Sequence, residues 1–532
     1  MAKLREVNVL FPILGENRRG VYAQETAPFT SPYSENIRSF DSIERRGRGG
    51  SRLPLKKWIS TDMGASITAM ERLSYQDGSG DHQEDLVVIV DGNLKIIQGS
   101  SVTTSVSNLE AEDGTLITDE AGVQITFEST VAAINTVTGT GGYNMVQYGG
   151  KMFIAGDYCY RYDPNAGTIE IVANAPVGQP LVEVYRHCLA LAGEDHIFYI
   201  SEQGNFSKWS FFDLSRGAKR AIVGTPTDDG KLGGDCTCIK SWGNDALIVA
   251  TKDSIWAIVG NPNTSGRLES VSREIGIIAQ GAISITADGF VLFVARSGVY
   301  SWQIGSNAAP KKFSEKIVPE ELKDIDTDAN VVKMQYDEKA NGIRLFVTPT
   351  AATVGTHWFF DLETKAFWRT KYQQTHQPLA LAVMPIAGDS NVIMGCKDGY
   401  LRRHDSTSTT DDDGSDLNSH LLIGPFKLGG GGGHDGMIQK IFAALADGSE
   451  DVTWAIVTAD SGEEAVDNAV TDIQAGTTVN VVATGTWEEN FNSYRHPRSR
   501  GAYAVLWLSC TSNWGYETLG FIKKSLGKMR VV

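Results

Sequence analysis

The stretch "IKSWGNDALIVATKDSIWAIVGNP", residues 239–262, decides how this chain is read. One apolar run ends at a Gly-Asn-Asp turn, a second at Lys-Asp, and a third at Gly-Asn-Pro. Each run is about five residues, which suits a strand and is too short for an ordinary helix. Gly, Asn and Asp between the runs supply the backbone angles that tight hairpins need. The stretch therefore predicts three antiparallel strands joined by short turns.

The same phrase recurs on both sides. It appears in "DLVVIVDGNLKII" (85–97), "MVQYGGKMFIAGDYCYRYDPNAGTIEIV" (145–172) and "VEVYRHCLALAGEDHIFYIS" (182–201). It returns in "AISITADGFVLFVARSGVYSW" (282–302), "VVKMQYDEKANGIRLFVTP" (331–349) with "HWFFDLETKAFWRT" (357–370), and "LALAVMPIAGDSNVIMGCKDGYLRRHD" (379–405). The units repeat every ~40–60 residues, the range of propeller blades. A blade must stack on its neighbours, so repeated apolar strands are expected of it. A string of β-sandwiches is the rival all-β reading, and the evenness of the repeat favours a β-propeller over residues 59–405. Two short helices are expected, at 65–74 ("ASITAMERLS") and at 319–328 ("PEELKDIDTD"). The acidic segment 108–142 either completes the first blade or projects as a hairpin.

The flanks differ. Residues 1–58 are polar, contain Pro28 and Pro32, and read as an extended arm. Residues 406–436, which hold all but the first residue of the acidic "DSTSTTDDDGSDLNSH" (405–420) and the glycine run "LGGGGGHDG" (428–436), read as a linker. From residue 437 to 532 strand-like runs resume without the blade phrase, including "KIFAALADGSEDVTWAIVTADSGEEAV" (440–466). They predict a separate β-sandwich-like docking domain.

Composition bounds the function. The 532 residues carry a formal net charge of -16. An acidic surface repels a polyanion, which argues against general DNA affinity and suits a passage through which DNA slides. No apolar run approaches the ~18 residues of a membrane-spanning helix. The first residues lack the apolar stretch and cleavage site of a signal peptide, so synthesis in a cytoplasm is expected. The six cysteines, Cys159, Cys188, Cys236, Cys238, Cys396 and Cys510, are scattered and read as buried free thiols.

Signatures of catalysis and cofactor binding are missing. There is no phosphate loop, nucleophile elbow or zinc helix. Cys236 and Cys238 lack the second pair or close His that would complete a zinc site. "DDDGSD" (411–416) lacks the glycine and the twelfth ligand of a calcium loop. "SEQGNFSKW" (201–209) is similar to the Asp-box turn of sialidase-type propellers, but Gln203 stands where the Asp belongs. No enzyme and no cofactor is expected.

One strip stands out against the acidic background. "ERRGRGGSR" (44–52) carries Arg45, Arg46, Arg48 and Arg52, and Lys56 and Lys57 follow. Gly47, Gly49 and Gly50 would let this backbone lie flat on another surface. Arginines fork readily onto carboxylates, and the aromatic interleaving of single-strand nucleic-acid binders is absent. The strip therefore reads as a docking strap for an acidic protein neighbour, another copy of the chain included. A second basic group, Arg495, Arg498 and Arg500, is read in the same way.

"ENIRSFDSIERRGRGGSRLPL" (35–55) resembles the N-terminal stretch of the tail nozzle, or tail tube, proteins of short-tailed bacteriophages. Matching phrases follow at 145–168, 184–193, 198–209, 246–262, 273–302 and 361–370. The resemblance covers residues 30 to 405, and "RHPRSRGAYAVLWL" (495–508) fits the rim domain of such proteins. It implies a structural virion protein assembled in the host cytoplasm. Six copies would ring a DNA-ejection channel below the portal and adaptor, in contact with the adaptor and with tail fibres or spikes. Double-stranded DNA would pass without specific binding. A cellular propeller scaffold and a sialidase-like glycan hydrolase are the alternatives.

Overall fold

The computed structural model describes residues 4–17, 29–98, 101–104, 142–193, 196–211, 222–224, 232–264, 266–303, 308–312, 320–386, 388–405, 411–429 and 434–528. Most of the expected segment 108–142 and parts of the expected linker lie outside them.

The repeated phrase folds into seven four-stranded antiparallel sheets, and the chain is an all-β propeller. Blades 1 to 6 take residues 67–104, 144–171, 181–224, 238–272, 283–312 and 330–370. Turn chemistry sets the hairpins. Asp91 and Gly92 both adopt positive φ, 49° and 76°, as do Gly149 and Gly150. These are the mirror-image turns whose twist matches that of the strands.

Each gap between blades holds its own apolar core. Ala69, Leu73 and Tyr75 of blade 1 meet Met152 and Ile154 of blade 2. On its other side, blade 1 turns Ile67 and Met70 towards Ala380 and Ile393 of blade 7. Burial on both sides explains a correction. The helix expected at 65–74 is the strand Ile67–Gln76, whose two apolar faces blur the alternation that marks a half-buried strand. The helix expected at 319–328 is reduced, within the described residues, to a single 3-10 turn, Glu320–Leu322.

Blade 7 supplies only three strands of its own, Pro378–Ile386, Asp389–Cys396 and Leu401–His404. Its fourth, Leu55–Lys57, comes from the arm and pairs antiparallel with Leu401–His404. The propeller thus begins at residue 55. Leu55 is fully buried with Phe346, Tyr372, Met394 and Cys396.

The remaining domain is a sandwich of two sheets, and it is built from both ends of the chain. One sheet runs Leu4–Val9, Tyr516–Lys528, His434–Leu445, Asn490–Arg495, with Ser499–Gly501 on His434–Leu445. The other runs Ser34–Glu35, Ser419–Lys427, Tyr503–Cys510, Val452–Ala459, Val481–Trp487. The arm is therefore woven into both sheets, and the expected linker contains the core strand Ser419–Lys427. A helix, α1 (Gly462–Ala475), covers the second sheet with Ala465, Val466, Ala469, Val470 and Ile473. Its Ser461 side chain accepts the Glu464 N–H, and Gly476 ends it at φ 64°. The sequence pattern alone predicts strand through its first turns.

If Leu55 closes the ring, Leu55→Ala should lower unfolding free energy by about 2–5 kcal/mol, the cost of truncating a buried leucine. Leu4→Ala, at an exposed position of the arm, should change it by less than about 0.5 kcal/mol. Urea unfolding followed by tryptophan fluorescence measures both, and equal effects would refute the closure.

Candidate functional site

The basic strip forms the turn between the short strands Ile37–Arg38 and Gly50–Ser51. Asp41 organises that turn. Its carboxylate accepts the N–H groups of Ile43 (2.9 Å), Glu44 (2.7 Å) and Arg46 (3.0 Å), and the Nε of Arg48 (3.0 Å). The glycines allow close approach to the sandwich. A Cβ on Gly49 would lie 2.2 Å from the Phe11 ring, and one on Gly50 2.2 Å from the Trp514 carbonyl oxygen. The surface on which this backbone lies flat belongs to its own chain.

Its cations are engaged in the same way. Arg48 reaches Asp41, Glu44 (2.9 Å) and Glu517 of the sandwich (2.9 Å). Arg46 pairs at the surface with Glu44. Arg52 is 1% exposed. Its two Nη atoms grip the Asp412 carboxylate, its Nε donates to Asn36 Oδ1 at 2.8 Å, and its guanidinium lies 4.7 Å over the Tyr372 ring. Lys57 sits 3.8 Å from Asp413 and 4.0 Å over Tyr400. Arg402 of blade 7 binds Asp398 (2.7 Å) and Asp413 (2.8 Å).

These contacts correct two expectations. The acidic run 411–416 reads in the sequence as a solvated linker, and Arg52 and Lys57 of the strip as contacts for a neighbour. Asp412 and Asp413 are instead the counter-charges of Arg52, Lys57 and Arg402. Lys56 pairs with Arg403 in the closing strand register. Arg45, exposed at φ 58°, has no ion pair among the described residues. Arg495 and Arg498 are likewise exposed, while Arg500 holds Asp435 at 2.7 Å.

A second buried cluster fixes the arm to blade 6. Arg369 bonds Glu16 and Glu321, both at 2.8 Å, and stacks 4.7 Å from Trp358. Nearby, a cavity of about 250 Å³ is lined by Arg38, Arg344, Phe359 and His404. Arg38 lies 4.6 Å over Phe359. Burial, then the charges of Arg344 and Arg52, hold His404 well below the usual histidine range.

The propeller axis is a polar channel of about 660 Å³, lined by Glu71, Arg72, Lys240, Lys333, Gln147 and Gln335 among others. Lys240 pairs with Glu183 at 3.2 Å, and Ser241 donates to the same carboxylate at 3.0 Å. Burial carries the Glu71 carboxyl up to about 7, against the attraction of Lys240. The six cysteines are free and buried. Burial pushes the Cys188 thiol to about 11 and that of Cys396 to about 12, so neither is poised as a nucleophile. Among the described residues no group of three or more His, Cys, Asp or Glu lies together for a metal, and no helix is long and apolar enough to cross a membrane.

The fold and these surfaces define the class: a β-propeller protein strapped to a β-sandwich by its own arm. No family model and no curated protein matches the chain. Among solved structures it is similar to the extracellular domain of the hybrid two component system BT4673 from B. thetaiotaomicron (11% identity, TM-score 0.42). That match covers 74% of this chain and 43% of the other, so the chain spans less than half of that domain. It is also similar to Saccharomyces cerevisiae Sqt1 (9%, TM-score 0.41, 67% and 100% covered) and to YCF48 from Cyanidioschyzon merolae (12%, TM-score 0.37, 66% and 98% covered). The propeller assignment rests on the seven sheets themselves.

Two tests follow from the geometry. Arg52→Ala leaves Asp412 buried without its partner, and should destabilise the chain by about 3–5 kcal/mol. The double variant Arg52→Met/Asp412→Leu should recover most of that loss, and purely additive losses would dismiss the pair. At Glu71 the folded chain keeps, between pH 4.5 and about 7, a proton that the unfolded chain has released. Stability should therefore fall as pH rises through that window. Glu71→Gln should flatten the decline in melting temperature, and an unchanged pH profile would dismiss it.

Proposed function

We propose that this chain is a structural virion protein, the tail nozzle of a short-tailed bacteriophage, and not an enzyme. Several copies, six by the resemblance, surround the DNA-ejection channel below the portal and adaptor and hold tail fibres or spikes.

One observation carries this reading. The phrases that resemble the nozzle family follow the architecture element by element. The stretch 35–55 is the seam of arm, propeller and sandwich, and 145–168 lies in blade 2. The phrases at 184–209, 246–262 and 273–302 fall in blades 3, 4 and 5, and 361–370 ends on the outer strand of blade 6. A resemblance produced by composition alone would not respect these joints. The net charge of -16 suits a wall along which DNA slides. The double anchoring of the arm suits a part that must withstand the passage of a pressurised genome. Glycan hydrolysis would need two carboxylates free to face one cleft. Among the described residues that line the axial channel Glu71 is the one carboxylate, and Glu183 beside it is taken by Lys240 and Ser241.

A second reading, a propeller interaction scaffold unrelated to virions, gains from one feature: most of the strip's charge is spent inside the chain, so it no longer demands a neighbour. Electron microscopy with a mass measurement in solution separates the two. A nozzle forms a ring with an axial hole, alone or with its adaptor. A monomer at micromolar concentration in both conditions would leave the scaffold.

A further inference from the structure

The sandwich domain carries two surfaces of opposite charge that its own chain, among the described residues, matches only where Arg500 holds Asp435. On α1 the buried stripe Ala465, Val466, Ala469, Val470 and Ile473 faces the sheet, so the remaining face is turned to solvent. That face presents Glu463, Glu464 and Asp467, and Asp460 stands just before the helix; all four are exposed. None of them forms an ion pair among the described residues. The second surface is the segment Asn490–Arg495 through Ser499–Gly501, in the other sheet. It exposes Arg495, His496, Arg498 and Arg500, together with two aromatic rings, Phe491 (68% exposed) and Tyr494 (44%). Lys440 adds its charge 5.0 Å from the Tyr494 ring.

We propose that the basic aromatic edge of one copy docks on the acidic face of α1 of a second copy, head to tail. This rests on the ring reading given above. The partner follows from charge. Copies of a chain with net charge -16 repel one another over most of their surface. The arginine edge is where that repulsion reverses, and a second copy presents a cluster of unpaired carboxylates to it. Because the two patches are different surfaces, the contact is heterologous, and it makes the ring of the reading above where its rotation closes. Exposed ion pairs contribute about 0–1 kcal/mol each, so the charges set register and encounter rate. Phe491 and Tyr494 supply the buried area, as aromatic anchors do at interfaces.

Charge reversal tests the contact in the full chain, because every substituted side chain is exposed. In low-salt mass photometry, Arg495→Glu/Arg498→Glu should reduce assembly at least tenfold. Glu463→Lys/Glu464→Lys/Asp467→Lys should do the same, and the chain carrying all five changes should assemble again. Phe491→Ser should weaken assembly with melting temperature unchanged. If the native chain forms rings and both reversed chains form them equally well, this contact is wrong and the ring stands. If the native chain stays monomeric with and without its adaptor, the ring reading fails and takes the contact with it. Capture of a DNA duplex by the native edge, lost in Arg495→Glu/Arg498→Glu while assembly persists, would assign the edge to DNA and overturn the proposal.

Discussion

The clasp between Arg52 and the 412 carboxylate is the joint on which the rest of the architecture depends. Arg52 lies between the arm turn and the closing strand Leu55–Lys57, so its position fixes both. Asp412 accepts the Leu55 N–H as well as the guanidinium, and thereby sets the register in which the arm enters blade 7. A charge so deeply buried survives only when its partner is fixed in geometry and its hydrogen bonds are filled. Asn36, Leu53 and Lys371 fill the remaining donors.

Around this joint the chain avoids weak seams. The strand Ala366–Thr370 of blade 6 belongs to the propeller by hydrogen bonding, yet its Trp368 is buried in the core shared with the sandwich. Phe11 of the arm stacks on Trp368 at 6.1 Å and leans on Tyr516 at 5.5 Å. The buried pair Glu16–Arg369, extended by the exposed Glu321, adds a second ionic anchor beside it. Propeller, arm and sandwich thus share apolar cores as well as charge.

Much of this was legible in the sequence, and the failures have physical causes. Hairpins were readable because Asp91-Gly92 and Gly149-Gly150 state their turn type locally. The strand Ile67–Gln76 was misread because its neighbours bury both its sides, which removes the alternation that reveals a strand. Helix α1 followed directly on the strand "VTWAIVTA", and the apolar run masked the change, although Ser461 and Glu464 already spelled a helix start. The strip and the acidic run both stand out in the sequence, but the one reads as a strap for a neighbour and the other as a solvated linker. Nothing local could have joined Arg52 to Asp412 across 360 positions. Charge runs announce that a counter-charge is needed, and only the fold says whose it is.

The weaving of the arm has a consequence for biosynthesis. Leu4–Val9 pairs with Tyr516–Lys528, and Leu55–Lys57 pairs with Leu401–His404. Each arm segment must therefore wait for a much later strand of the same chain before its sheet can close. Contacts of such long sequence range are slow to form and expose unpaired edges meanwhile. A chain released early, anywhere before residue 516, cannot seat its first strand. Until those later strands are made, the arm segments and the strands they pair with present open edges in place of finished sheets.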